Sequence, residues 1–328
     1  FIPTMITVII PVYNKQTTIQ QTLTSVINQS FKDFEIVIVD DGSTDNSISI
    51  VNNNFNDNRI KIISQKNQGV SIARNHGVFH SRYELIAFLD ADDLWNEKYL
   101  EFMVKAYKMF PDSGMYCCAG YVKNADGSLL ERVDSKIINP ISRIDFFQNP
   151  HIYLHTSSTV VKKNVFNIVG GFPEKMIRNQ DFALFFSVAL ISDVVYCNHL
   201  LSTYVGGVAN QATSFFSDKT LESIIWRHNH VHRNWIKFKK KPDLYLVFTK
   251  YEVRHRIKNF ILNNQFSYLN TFLNDLDAEL MNEFSFSERF LYKKTFLKRI
   301  SILYINLTKV RCRLLGAALF QKTQPDAG

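Results

Sequence analysis

Residues 84–93 read Glu-Leu-Ile-Ala-Phe-Leu-Asp-Ala-Asp-Asp, an apolar run that breaks off into three carboxylates. Glu84–Leu89, apolar after its first residue, lacks the polar alternation of a half-exposed strand, so it predicts a strand buried on both faces. Working outward, the same kind of run occurs at Ile6–Ile10, Phe34–Val39 and Ile60–Ile63. Between the runs the apolar spacing turns helical, over Thr17–Ile27, Ile48–Val51 and Val70–Phe79, and Asn96–Phe110 continues the alternation. Repeated β-α units of this kind predict an α/β fold, with a mostly parallel central sheet and helices on both faces. Ligands of such sheets sit beyond the carboxyl ends of the strands. Pro11–Asn14, Asp40–Ser43, Gln65–Arg74 and Asp90–Asp93 all fall there, so four separate stretches are expected to meet at one rim.

Past Met115 the order changes. Met115–Val122 and Leu129–Val133 flank Asn124–Ser128, a hairpin signal. Ser157–Val161 reads as a strand. Lys163–Val169 reads as a helix closed by Gly170-Gly171, Asp181–Ile191 as a helix and Val194–Cys197 as a short strand. From about Phe215 onward the chain reads as helices with basic faces. The expected division is therefore 1–214 for the α/β part and 215–328 for a basic helical region.

Several side chains at the strand ends carry chemistry. Asp90, Asp92 and Asp93 repel one another, and a divalent cation would relieve that repulsion; hard oxygen donors suit Mg²⁺ or Mn²⁺. The same residues would also serve as a solvated turn capping the next helix. Asp41, beside Gly42, could accept hydrogen bonds from a base or ribose, or could belong to an ordinary strand-to-helix turn. Arg74 offers a two-pronged donor to a phosphate, or is a surface arginine. Asp181 opens a helix, where it could be a general base or a carboxylate stabilised by the helix N-terminus.

Taken together, these segments resemble glycosyltransferase family 2. The matching stretches are Val8–Asn14, Val39–Asp45, Asn67–Asn75, Phe88–Asp93 and Gly170–Asp181, within about Met5–Ser214. The resemblance implies the GT-A fold, which is Rossmann-like, and an inverting transfer of a sugar from a nucleotide diphosphate donor, UDP above all, to an acceptor hydroxyl. It also implies roles by position. Pro11 and Tyr13 would line the nucleotide pocket, Asp41 would bind the base, and Arg74 would contact the nucleotide. Asp92 would be the direct ligand of a divalent cation, Mn²⁺ or Mg²⁺, with Asp90 a second ligand nearer the ribose. Asp181 would be the catalytic base. The chain departs from the family pattern at Gln180, where a Glu is usual, and at Ser187, where an Arg is common. It departs again at Tyr204-Val205-Gly206-Gly207, where a Tyr-Arg-x-His stretch often stands, so the family's late metal and phosphate contacts are not carried over.

The bulk composition bounds these readings. With 328 residues, 46% of them hydrophobic, the chain can form a large domain with an appendage or a second domain. The four cysteines, Cys117, Cys118, Cys197 and Cys312, form no C-x-x-C pair, which fits a reduced, cytoplasmic protein. No segment reads as a signal peptide, and no apolar run reaches the ~18 residues of a membrane span. Charge is lopsided. Residues 219–328 hold 20 Lys/Arg against 9 Asp/Glu, a net of +11, while the rest of the chain is −3. Arg289–Lys322 mixes apolar residues at spacings of three and four with lysines and arginines, as an amphipathic basic helix or pair of helices would. This predicts peripheral contact with an anionic membrane, on its cytoplasmic face, and a lipid-linked or surface glycan acceptor. The alternative is a helix packed on the α/β part with a solvated basic face. Trp226, Trp235 and Lys237–Lys241 form a second basic stretch, and His228, His230 and His232 read as surface or interface residues. No nucleic-acid recognition motif occurs. A sugar nucleotidyltransferase would share the acidic strand end but is expected to carry a Gly-rich loop after the first strand, where Val12-Tyr13-Asn14-Lys15 has none. A non-catalytic protein binding anionic ligands is the remaining alternative.

Overall fold

In the computed structural model, the four apolar runs are parallel strands: β1 (Ile6–Val12), β2 (Phe34–Asp40), β3 (Ile60–Ser64) and β4 (Leu85–Phe88). The structure describes residues 5–135, 137, 139–148, 152–206, 217–238, 242–294 and 297–314. They fall into two units, one within 5–144 and 152–206, the other within 145–148 and 217–314.

In the first unit the strands alternate with α1 (Ile19–Ile27), α2 (Ser47–Asn54) and α3 (Val70–Phe79). β5 (Leu94–Trp95), α4 (Tyr99–Met109), β6 (Met115–Lys123), β7 (Leu129–Arg132) and β8 (Ile141–Ile144) follow. Then come β9 (Thr159–Lys162), α5 (Lys163–Val169), α6 (Gln180–Ile191) and β10 (Val194–Val205). The strand order is β3-β2-β1-β4-β9-β6-β10-β5, with β7 beside β6 and β8 beside β10. Val8, Ile10, Ile36 and Ile38 enter a core with Leu23, Val26 and Met103, from α1 and α4. Val37 and Val39 face the other way, onto Ala73 of α3. Both faces are thus helix-covered, which is why the strands are apolar throughout.

Two sequence expectations need adjusting. The sheet is parallel through β3-β2-β1-β4 and again at β6-β10, but β9 runs antiparallel to both β4 and β6. The short strand expected at Val194–Cys197 continues to Val205, through register shifts at Cys197/Leu200 and Leu200/Ser202 that absorb the polar Asn198-His199 step. Cys117, Cys118 and Cys197 are free and buried in the sheet.

The second unit is helical: α7 (Asp218–Phe238), α8 (Pro242–Leu262), α9 (Phe266–Asp275), α10 (Ala278–Asn282), α11 (Phe286–Lys293) and α12 (Lys298–Leu314). Its core joins Ile224, Val253, Ile257, Phe260, Phe272 and Ile305. α11 starts on a capping box, Ser285 accepting from the Glu288 backbone N–H while Glu288 reaches back to that of Ser285. The surface reading of the histidines is corrected here: His228 and His232 are buried, and His230 stacks on Trp226. α7 is apolar enough on its inner side to carry imidazoles inward as neutral aromatics, and burial pushes the pKa of all three down. α12 presents two apolar sides. Ser301 and Ile305 are buried, whereas Ile300, Leu303 and Leu307 are each more than half exposed. Lys239–Lys241 of the second basic stretch lie outside the described residues, as does the chain after 314. Among the described residues no helix is long and apolar enough to cross a membrane.

Candidate active site

The rim begins where β1 and β2 end. Pro11 is still inside the sheet, opposite Val39, and the next side chain to leave it is Tyr13, which is 47% exposed. Asn14 takes a left-handed conformation (φ 53°), and its Oδ1 accepts the Thr44 N–H at 2.8 Å. Lys15 N donates to Ser47 Oγ at 2.7 Å and Gln16 N to Asp45 Oδ2 at 3.0 Å. These bonds lace the two turns together. Gly42 (φ 76°) is required in the second turn, because a Cβ there would stand 2.8 Å from Asn67 N.

Asp41 is buried and holds the third stretch. Its Oδ1 accepts from Gln65 Nε2 (2.8 Å) and Gln68 N (2.9 Å), and its Oδ2 accepts from Gly69 N (2.9 Å). A carboxylate has about four acceptor sites, so about one stays open for a ligand. The visible work of Asp41 is to shape the loop that leads into α3.

The acidic end of β4 is fixed from several directions. Thr18 and Thr22 of the α1 region donate to the Ala91 and Asp93 carbonyls at 2.8 and 2.9 Å. Ser157 Oγ accepts from Asp90 N at 3.0 Å and donates to Asp93 Oδ2 at 2.6 Å. Asp93 Oδ1 accepts the Val205 N–H at 3.0 Å, so Asp93 is a buried structural carboxylate. The Tyr204-Val205 segment, which lacks the family's side chains, therefore reaches the acidic loop through its backbone. Asp90 and Asp92 remain for chemistry, and each faces a cation. Arg74 Nη2 lies 2.5 Å from Asp90 Oδ1, and Lys15 Nζ lies 2.5 Å from Asp92 Oδ2. Burial, with the neighbouring charge of Asp90, pushes the Asp92 carboxyl up, and Lys15 opposes that.

Arg74 is 4% exposed, with its guanidinium over the Phe172 ring, 5.0 Å from the centroid. Its Nε and Nη1 have no hydrogen-bond partner among the described residues. Buried guanidinium N–H groups are normally satisfied, so these two donors, on different sides of the guanidinium, are left with capacity for an anion. Asn75 clamps the segment that leads to α6, donating to Phe172 O at 2.8 Å and accepting from Phe172 N at 2.9 Å. Gly171 (φ 71°) makes room for this, since a Cβ would stand 2.8 Å from Asn75 Oδ1. Asp181, in the first turn of α6, accepts the Phe182 N–H at 2.8 Å. Burial raises its pKa; the Phe182 N–H and the Arg74 charge lower it, and the Asp90 charge adds to the rise. Arg74, Asp90, Asp92 and Asp181 thus form one electrostatic group. Asn75→Ala leaves the Phe172 N–H and C=O unpaired and is expected to cost about 1–3 kcal/mol in urea unfolding; a midpoint equal to wild type would show that the clamp carries no stability.

Of the expected residues, the structure groups Arg74, Asp90, Asp92 and Asp181, puts Tyr13 at the same rim, and keeps Pro11 and Asp41 inside as framework. Lys15, Asn75 and Ser157 were not singled out from sequence. Lys15 could have been, as the cation two residues after Tyr13. Ser157 sits 67 residues from Asp90, and no local pattern marks it. Among the described residues no group of three His, Cys, Asp or Glu could hold a metal ion. Asp90 and Asp92 supply hard oxygen donors, and Mg²⁺-type ions are commonly held by one or two carboxylates completed by phosphate and water. The residues fit a divalent cation that arrives with a phosphate ligand.

A helix-covered sheet with a parallel half, followed by a C-terminal helical region, is the architecture of a GT-A protein. A structure of S. aureus TarS 1–349 in complex with UDP-GlcNAc shares the fold with a TM-score of 0.70 at 18% identity, covering 95% of this chain and 92% of that one. Residues 7–169 match the profile described as Glycosyl transferase family 2, and the chain belongs to that family. The match takes in Pro11, Tyr13, Asp41, Arg74, Asp90 and Asp92 and ends before Asp181. An uncharacterized glycosyltransferase of Rickettsia felis is 33% identical over 253 residues, 75% of this chain, and the chain spans 42% of that protein's length. An uncharacterized glycosyltransferase of Haemophilus influenzae is 28% identical over 243 residues, 69% of this chain and 86% of its own.

Proposed function

We propose that this chain is an inverting glycosyltransferase that moves a hexosyl or N-acetylhexosaminyl group from a UDP-sugar to an acceptor hydroxyl. The observation that carries this reading is the pair of unpartnered N–H donors, Nε and Nη1, on buried Arg74, within the charged group that also contains Asp90, Asp92 and Asp181. The UDP-GlcNAc bound to TarS supports the nucleotide. Tyr13 and the loop held by Asp41 border the base pocket, and the open lone pair of Asp41 faces the base. Arg74 takes the diphosphate through Nε and Nη1. Asp92, with Asp90, would hold Mn²⁺ or Mg²⁺, which supplies charge stabilisation to the leaving diphosphate. Asp181 accepts the proton of the acceptor hydroxyl as its oxygen bonds to the anomeric carbon and the bond to the diphosphate breaks. With Asp181 acting as the base and the acceptor oxygen as the nucleophile, one displacement inverts the anomeric centre. A screen of nucleotide sugars for metal-dependent release of the nucleoside diphosphate tests the reading, and the account predicts turnover with a UDP-sugar. Pyrophosphate release from a nucleoside triphosphate and a sugar 1-phosphate, with no turnover of nucleotide sugars, would favour the nucleotidyltransferase reading.

Residues 1–214 are the catalytic domain in this proposal, and 215–328 hold it on the cytoplasmic face of an anionic membrane, close to a lipid-linked or surface-glycan acceptor. The outward stripe of Ile300, Leu303 and Leu307 on α12, beside exposed Lys298 and Arg299 in a region of net charge +11, supports this contact. Replacing all three apolar residues with Ser is expected to weaken binding to phosphatidylglycerol vesicles about 100-fold, at about 1 kcal/mol for each partly buried side chain. Unchanged co-sedimentation of a folded variant would remove the membrane from the account.

A further inference from the structure

Lys15 plays no part in the scheme above, yet it stands 2.5 Å from Asp92, the carboxylate given to the cation. The pair is well covered, with 25% of the Lys15 and 12% of the Asp92 side chain exposed. The backbone of Lys15 is fixed: its N–H is held by Ser47 Oγ at 2.7 Å, and its carbonyl accepts from Thr18 N and Ile19 N at 3.0 and 2.9 Å. Only the four-carbon stem is left to move. An ammonium on such a stem is a point charge with three rotatable donors, which can change partners without the rigid geometry a guanidinium demands. Charge balance then restricts what can bind. Lys15 and Arg74 face Asp92 and Asp90 one to one, and Asp181 adds a further carboxylate. An added diphosphate competes with the carboxylates for these cations, and an added divalent cation must displace the ammonium that faces Asp92.

Resting on the donor reading above, we infer that Lys15 is an exchangeable counter-cation: it neutralises Asp92 in the empty site and transfers to the diphosphate when the nucleotide binds. Asp92 is thereby released to a metal ion as the phosphate gains a donor. The same side chain then opposes metal binding to the empty site and favours nucleotide binding without metal. These opposite signs separate an exchange role from a structural one.

The test uses the full chain with Lys15→Met and Lys15→Arg variants in titration calorimetry. MnCl₂ alone is expected to bind Lys15→Met at least about tenfold more tightly than wild type, because the competing ammonium is gone. UDP in EDTA is expected to bind Lys15→Met at least about tenfold more weakly, because a charged hydrogen bond is lost. Lys15→Arg should fall between wild type and Lys15→Met in both titrations, because it keeps the charge but not the ammonium's freedom to change partners. Should Lys15→Met not fold, Lys15→Gln takes its place. Equal or weaker Mn²⁺ binding by the variant, or UDP affinity in EDTA equal to a measurable wild-type value, overturns the inference. Wild-type protein that binds no UDP with or without Mn²⁺ overturns the donor reading itself, which is a distinguishable failure.

Discussion

Asp181→Asn is expected to lower the rate of sugar transfer about 10²- to 10⁴-fold, the range that a positioned general base contributes. It is also expected to raise the melting temperature. Burial outweighs the Phe182 N–H and the Arg74 charge, so folded Asp181 keeps its proton to higher pH than it does in the unfolded chain. A carboxyl shifted upward stabilises the fold below its unfolded pKa and loses that contribution as pH rises through its folded pKa. At neutral pH the ionised side chain is therefore a net cost, which the neutral amide removes while its Oδ1 still accepts from Phe182 N. The acid limb of kcat should lie above the ordinary aspartate range, because the base works only when ionised. Circular dichroism melts and a pH–rate profile read these effects. An Asn variant that is less stable and still active would deny Asp181 both the strain and the chemistry assigned to it.

Arg74→Lys is expected to weaken UDP binding about 10- to 100-fold, since about 1.5–3 kcal/mol follows each lost hydrogen bond to a charged group. A lysine can replace the charge facing Asp90 but not the additional Nε–H and Nη1–H donors of the guanidinium. Arg74→Met should weaken UDP further and cost about 1–3 kcal/mol of stability, because Asp90 loses its partner. The stability cost stays moderate because 29% of the Asp90 side chain remains in water. Calorimetric titration with UDP measures the first effect and urea unfolding the second. UDP affinity in Arg74→Lys equal to wild type would mean that the unpartnered donors serve something other than phosphate.

The parts of the fold that were legible in the sequence are those with local causes. Val70–Phe79 forms a helix over the expected residues because its apolar spacing, with Gly69 just before it, is a short-range signal. Lys163–Val169 likewise ends at Gly170 in a left-handed conformation (φ 89°). The antiparallel run of β9 was not legible, because strand direction depends on how the 145–158 connection returns, and buried strands of either direction look alike in composition. The two-sided character of α12 was hidden for a related reason, since spacing reveals apolar positions but not which of them find a partner. At the rim, Arg74, Asp90, Asp92 and Asp181 were selected by their places in motifs that resemble glycosyltransferase family 2, since each alone also fits an ordinary turn, surface or helix-start position. What each side chain touches was not legible, because Lys15 is 77 residues from Asp92 and Asn75 is 97 from Phe172. Asp41 shows the difference plainly: the family resemblance gives its position a nucleotide contact, whereas its hydrogen bonds make it the anchor of a neighbouring loop.

The central claim is that the ends of β1, β2 and β4 with the starts of α3 and α6 make one binding place for a nucleotide diphosphate. A crystal structure of the full chain with UDP and Mn²⁺ tests it most directly. The account predicts a phosphate oxygen within hydrogen-bond distance of Arg74 Nε or Nη1, Asp92 on the side of the cation, and Asp181 facing the β-phosphate from across the site. UDP bound away from Arg74, or an Asp181 carboxylate turned away from that phosphate, would contradict it.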